Sequence, residues 1–121
     1  MIRKELKNSF WVVIPFYNEE KLIEQTLDAL KSQSDSDFTI LCVNNASTDK
    51  SPQIVRNYIK SNLQLHIKMI NEPQKGTGAA SDTGFRYAIS KGATVVARTD
   101  ADALPCVDWV SLLKADFRNG A

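Results

Sequence analysis

The sequence predicts an open α/β sheet, mostly parallel, of about four strands with helices on both faces. Three observations carry that class. Short, β-branched apolar runs recur along the chain, each is followed by apolar residues at helical spacing, and the links between them are short. Strands alternating with helices in this way pair in parallel through right-handed crossovers. At 121 residues the chain is one domain at most, and a 43% apolar fraction is enough for a core.

Met1 to Ser9 is polar and reads as a lead-in segment, which leaves 10–121 as the domain. Phe10-Trp11-Val12-Val13-Ile14-Pro15 is short and continuously apolar, the mark of a buried strand, and Pro15 ends it because proline cannot donate to a sheet ladder. Asn18 is expected to cap the first helix, with Glu19 and Glu20 at the favourable end of its dipole. Leu22, Ile23, Thr26, Leu27 and Leu30 repeat at helical spacing to about Gln33. Phe38 to Val43 is the second strand, and it runs into the polar turn Asn44 to Asp49. Ser51-Pro52 fits a cap followed by proline at the first helical position. Ile54, Val55, Tyr58 and Ile59 form the inner face of a second helix ending near Asn62.

Leu63 to Ile70 alternates apolar with mostly polar residues, which predicts a half-exposed strand at a sheet edge. A loop with Pro73 and Gly76 follows. From Gly78 the pattern turns helical, and the small residues among Ala80, Thr83, Gly84, Tyr87 and Ala88 allow close approach to a neighbour. Lys91-Gly92 ends this helix with a cation and then a glycine. Thr94 to Thr99 is the fourth strand, and it feeds the acidic turn Asp100-Ala101-Asp102. Val107, Trp109, Val110, Leu113 and Phe117 make a last helix, with Asp108 in its first turn and Asp116 on its exposed face.

Charge and motifs exclude several classes of function. Fifteen basic against fourteen acidic side chains give a net charge of +1, which does not suit a general nucleic-acid or membrane-surface binder. The longest apolar run, Phe10 to Tyr17, is too short to span a bilayer, and the basic start lacks a cleavage site, so a cytoplasmic setting is expected. Cys42 and Cys106 lack metal-ligand spacing and read as two buried thiols in a reducing compartment. The first strand is followed by Pro15-Phe16-Tyr17-Asn18, without the glycines a dinucleotide-binding turn requires. No Gly-Lys-Ser/Thr follows a strand, so a P-loop is absent. Gly76 to Ala79 reads as an anion site at a helix start or simply as a flexible entry. His66, the one histidine, reads as a surface residue, and no Gly-x-Ser-x-Gly elbow is present.

Three polar turns remain, each at the end of a strand: Pro15 to Glu19, Asn44 to Asp49, and Asp100 to Asp102. Parallel strands set their carboxyl ends side by side, so these turns should converge on one crevice. Taken alone, the D-x-D is a turn that caps the next helix. At a shared sheet edge its two carboxylates suit a hard divalent ion completed by substrate phosphates. A nucleotide would use all three turns, with its base against Pro15, Phe16, Tyr17 and the Asn44/Asn45 pair and its diphosphate on a metal at Asp102.

Val-Ile-Pro-Phe-Tyr-Asn-Glu-Glu, Asn-Asn-Ala-Ser-Thr-Asp and Thr-Asp-Ala-Asp-Ala-Leu-Pro, in this order, resemble the nucleotide-binding half of family 2 glycosyltransferases of the GT-A fold, over about residues 10 to 118. The resemblance implies a nucleoside-diphosphate sugar donor, a divalent cofactor (Mg or Mn) and inverting transfer to an acceptor it does not identify. It implies that Pro15, Phe16, Tyr17 and Glu19 line the nucleotide pocket, that Asn45 stands where the family reads the nucleobase, and that Asp100 and Asp102 carry ribose and metal-diphosphate contacts.

The chain departs from the family pattern in three places. The usual Asp-Asp-Gly-Ser turn is Asn44-Asn45-Ala46-Ser47, and Ala-Arg-Asn-x-Gly is Ala80-Ser81-Asp82-Thr83-Gly84, which removes a cation from the expected diphosphate contacts. The family's acceptor half and catalytic base lie downstream of the D-x-D, so the chain is expected to be a truncated, donor-binding half with little transfer activity of its own. Such a half leaves room for peripheral membrane contact and for self-association through its uncovered side. A non-catalytic nucleotide-binding module that pairs with another chain is the alternative. Nucleotidyl transfer would want a glycine-rich basic loop after the first strand, and none is there.

Overall fold

The computed structural model describes residues 10–118. The lead-in segment expected before Phe10 lies outside them. The chain order is β1 (Phe10–Phe16), α1 (Ile23–Lys31), β2 (Thr39–Asn44), α2 (Ser51–Ser61), β3 (Ile67–Asn71), α3 (Thr77–Ser90), β4 (Val95–Arg98) and α4 (Trp109–Arg118). The four strands form one parallel sheet in the order β3-β2-β1-β4.

That order explains the burial of each strand. β1 is flanked on both edges and covered on both faces, and all seven of its residues are buried. β3 holds an edge, as its alternating sequence predicts, and only Ile67 of it is buried. From β1 the chain steps outward to β2 and β3, then returns across the sheet to put β4 on the far side of β1. Right-handed crossovers that reverse direction must pass on opposite faces. One face of the sheet accordingly packs Val12, Ile14 and Cys42 against Leu27 of α1, Val55 of α2 and Val110 of α4. The other packs Trp11, Val13, Leu41 and Val43 against Ala80 and Ala88 of α3.

The small residues of α3 have the consequence the sequence suggests. A Cβ on Gly84 would lie 2.6 Å from Val13 Cγ1 and 3.0 Å from Val43 Cγ2, so helix and sheet meet there at backbone distance. At the other end of α3, Gly92 takes the left-handed conformation, φ 98°, that stops the helix.

Five local expectations are corrected. Pro15 does not end β1, which runs on to Phe16 and stays paired with β2 there. Asn18 does not cap α1, which starts at Ile23 after a turn in which Leu22 is 39% exposed. Asn18 adopts φ 52°, and its side chain bridges to another turn instead. Ser51 is not the cap of α2 but its first residue, after Lys50 at the N-cap, and Asp49 Oδ1 accepts from the Ser51 N–H at 2.9 Å. Asp108 precedes α4 and accepts from the Ser34 hydroxyl at 2.7 Å, while its carbonyl accepts from Leu112 N–H. Only Cys42 is a buried thiol. Cys106 is exposed, because it lies in the turn between the acidic motif and α4.

Candidate functional site

The strand order places a topological switch point between β1 and β4, and open α/β sheets bind ligands in the crevice beyond the strand ends at such a point. A cleft of about 370 Å³ opens there, within the range of small-molecule sites. Pro15, Phe16, Tyr17, Glu19, Asn45, Asp100 and Asp102 all line it. Thr77 from the start of α3, Arg98 from the end of β4 and Ala101 complete the wall. A hollow of about 450 Å³ between α1 and α2 lies away from the strand ends, and one of its carboxylates, Asp28, is already engaged by the Tyr58 hydroxyl at 2.8 Å.

The acidic turn has its form for a local reason. After β4 the chain keeps a period of two: Thr99 and Ala101 are buried while Asp100 and Asp102 are exposed. Thr99 N–H donates to Val13 O at 3.1 Å, extending the ladder past the strand. From beneath, α1 presents a buried hydroxyl: Thr26 Oγ1 lies 2.8 Å from Ala101 O and 2.7 Å from Ala103 O. Further along, Gln33 donates to Cys106 O at 2.6 Å and accepts from Val110 N–H at 2.9 Å. Thr26 of α1 and Gln33, two residues past the end of that helix, thus hold the turn that carries the carboxylates.

The other two turns are tied to each other. Asn18 Oδ1 accepts from the N–H groups of Thr48 and Asp49, at 2.8 and 3.1 Å, and Asn18 N–H donates to Ser47 Oγ at 3.0 Å. Glu19 N–H donates to Ser51 Oγ at 2.7 Å, and Glu20 exchanges bonds with Asp49 and Lys50. Asn45 fastens a third segment. Its amide donates to Glu72 O at 3.1 Å and Gln74 O at 2.8 Å, and accepts from Gly76 N–H at 3.0 Å. Both of its donors are therefore engaged by the loop before α3, which leaves a lone pair of its oxygen for any ligand.

The cleft is acidic. Desolvation holds the Glu19 carboxyl above its ordinary range, and the charges of Asp102, Asp49 and Asp100 push it further in the same direction. Among the described residues, the one cation on the wall is Arg98, which places Nη2 3.1 Å from Asp100 Oδ1. Hard carboxylate oxygens suit Mg or Mn. Among the described residues, however, no three acidic, histidine or cysteine side chains converge into a ready cage. The donors present fit an ion that takes one or two carboxylates and completes its shell from phosphate and water.

Arg98, Thr77, Thr26 and Gln33 were given no role in the site by the sequence. An arginine two residues before a D-x-D, at a strand end, was the available signal for the first. Thr26 and Gln33 read there only as part of a helix.

The chain is an open, doubly wound α/β protein with an acid-rimmed cleft at the switch point of its sheet. The sequence profile of glycosyl transferase family 2 matches residues 11–121, and the chain belongs to that family. Dolichyl-phosphate beta-glucosyltransferase ALG5A of Trichomonas vaginalis is 33% identical over 117 residues, covering 89% of this chain and 35% of that protein. Glycosyltransferase AglE of Haloferax volcanii is 36% identical over 101 residues, covering 82% and 32%. Among solved structures, TarS 1–349 of Staphylococcus aureus in complex with UDP superposes with a TM-score of 0.76 at 25% identity, over 92% of this chain and 32% of that one. Mannosyltransferase PcManGT of Pyrobaculum calidifontis in complex with GDP-Man and Mn2+ gives 0.75 at 32% identity, over 91% and 32%. The fold is thus GT-A-like, and the chain spans about a third of the length of these relatives.

Proposed function

We propose that this chain is the donor-binding half of an inverting family 2 glycosyltransferase and holds a nucleoside-diphosphate sugar in the switch-point cleft. The observation that carries the reading is the convergence of all three strand-end turns on one cleft, lined by Pro15, Phe16, Tyr17, Glu19, Asn45, Asp100 and Asp102. The base lies toward Tyr17 and Asn45, and the ribose and diphosphate lie toward Asp100 and Asp102. Since both N–H groups of Asn45 are engaged by the loop, Asn45 serves the base chiefly by holding that loop in place. Support for the ligand class comes from the UDP and GDP-Man complexes of the two similar structures.

Asp102, with Asp100 beside it, would hold Mg or Mn, and the ion's charge would offset that of the donor's diphosphate. The manganese in the PcManGT complex supports that choice of ion. Inverting transfer also needs a base for the acceptor's hydroxyl proton. The cleft carboxylates are committed to the donor in this reading, and none of them is assigned that role. No helix among the described residues is long and apolar enough to cross a membrane. We place the chain in the cytoplasm, where the exposed Cys106 thiol stays reduced.

A second reading, a module that works by pairing with another chain, is favoured by one feature. The outer edge of β4 is unpaired among the described residues, and Leu104, Val107, Leu112 and Phe117, which follow it, are all more than half exposed. Calorimetry with UDP, GDP and their sugars, with and without manganese, tests the first reading. We expect binding that manganese strengthens, and Asp102→Asn to remove the gain from the metal. Absence of nucleotide binding refutes the donor site. Equal binding with and without manganese refutes the metal role alone.

A further inference from the structure

The cleft contains a charge that the donor reading has not used. Arg98 ends β4 with its guanidinium 3.1 Å from Asp100 Oδ1, and the two side chains are 39% and 64% exposed. This pair also forms part of the wall of a second hollow, of about 500 Å³, whose far side is Leu104, Pro105 and Trp109. Arg98 therefore stands on the partition between the cleft and the space beyond the acidic turn. Other cations nearby are placed differently. Lys75 Nζ sits over the Tyr17 ring, 5.3 Å from its centroid, and Arg86 is paired with Asp82 at 2.7 Å on the exposed side of α3. Among the described residues lining the cleft, Arg98 alone opposes Glu19, Asp100 and Asp102.

We infer that Arg98 is a phosphate-contacting residue of this cleft, parked on Asp100 while the cleft is empty and turned to the ligand's diphosphate once that carboxylate is engaged elsewhere. The inference rests on the nucleotide reading above. An ion pair this exposed is weak and is readily exchanged. A phosphate is the better partner, because a guanidinium can donate two parallel N–H bonds to it while the pair with Asp100 uses one. Asp100 cannot serve the guanidinium and a divalent cation fully at the same time, so Arg98 should oppose metal binding and assist nucleotide binding. A merely structural arginine would move both affinities in the same direction.

The test is titration calorimetry on the full chain with three probes: manganese chloride alone, UDP or GDP in EDTA, and the same nucleotides with manganese. Arg98→Gln is expected to bind manganese alone about two- to fivefold more tightly, the yield of freeing one carboxylate from an exposed ion pair. It should bind UDP or GDP in EDTA about tenfold more weakly, the loss of a charge-assisted phosphate contact. Arg98→Lys should recover part of the metal-free affinity, since it keeps the charge but not the fork. If Arg98→Gln leaves metal-free nucleotide binding unchanged, weakens both ligands, or if wild type binds nucleotide only with manganese present, the inference is overturned while the donor site stands. If wild type binds no nucleotide under any condition, the donor site and this inference are both overturned.

Discussion

Ala46 occupies the left-handed region at φ 61°, where glycine sits without penalty and a Cβ costs on the order of 1 kcal/mol. Its turn is held nonetheless by Asn44 Oδ1, which accepts from Ser47 N–H at 3.1 Å, and by Asn45. Ala46→Gly should therefore stabilise the fold by about 1 kcal/mol, read as a higher urea midpoint at unchanged slope. The neighbouring change should go the other way. A carboxylate at position 45 cannot donate to Glu72 O or Gln74 O and would face both of them, at a residue only 5% exposed. Asn45→Asp is expected to cost about 2–3 kcal/mol in the same measurement. Sequence motifs placed the cleft-lining residues at strand ends, and that much was legible. The task of Asn45 was not, because its partners lie 27 to 31 residues further on and are backbone atoms, which carry no residue-type signal. Asn18 misled for a related reason: asparagine tolerates the left-handed conformation, and five bonds across to the next turn outweigh one cap.

Every strand and helix was legible from its period, since seven buried positions in β1 and the spaced apolar residues of α1 and α2 leave little ambiguity. The ends were less so, because tertiary hydrogen bonds set them. The same packing separates two glycines of α3. A Cβ at Gly84 would overlap Val13 and Val43, whereas one at Gly78 would meet nothing within 4 Å. Gly84→Ala should destabilise by about 1–3 kcal/mol through overpacking, and Gly78→Ala should stabilise by about 0.5–1 kcal/mol through helix propensity. Chemical denaturation of the two variants reads both signs. The docking of α4 predicts a dependence on pH. Desolvation raises the Asp35 carboxyl, but the Asp37 N–H and the Lys114 ammonium, 3.0 Å away, outweigh it and leave the group below its ordinary 3.8. A carboxyl lowered on folding contributes stability that is present above the unfolded value and is lost as pH falls through the folded one. Asp35→Asn should accordingly be less stable than wild type by about 0.5–1 kcal/mol near neutral pH, and the gap should close below about pH 4. A gap that persists into strong acid would assign the cost to packing instead.

At the scale of the molecule, the alternation of elements pointed to the parallel sheet, and the alternation of apolar with mostly polar residues from Leu63 to Ile70 pointed to its edge, which β3 holds over Ile67–Asn71. The position of β4 beside β1 had no local signature, and that position makes the cleft. Because the chain reverses direction there, the cleft wall draws on β1, the turns after β2 and β4, and the start of α3. Those segments belong to both faces of the sheet, packed by α1, α2 and α4 on one side and by α3 on the other. A ligand in the cleft touches parts that cannot separate while β1 stays in the sheet, so binding should stabilise the whole fold rather than one loop. Ligand at one hundred times its Kd adds about 2.7 kcal/mol to unfolding when the unfolded chain does not bind. For a chain of this size that is a rise in Tm of roughly 10 °C. UDP or GDP with manganese should produce such a rise as a single sharper transition seen alike by near-UV and far-UV circular dichroism. Asp102→Asn should lose the part of the shift that depends on manganese and keep the part that does not. A shift confined to one probe would mean that the cleft closes on its ligand without engaging the sheet beneath it.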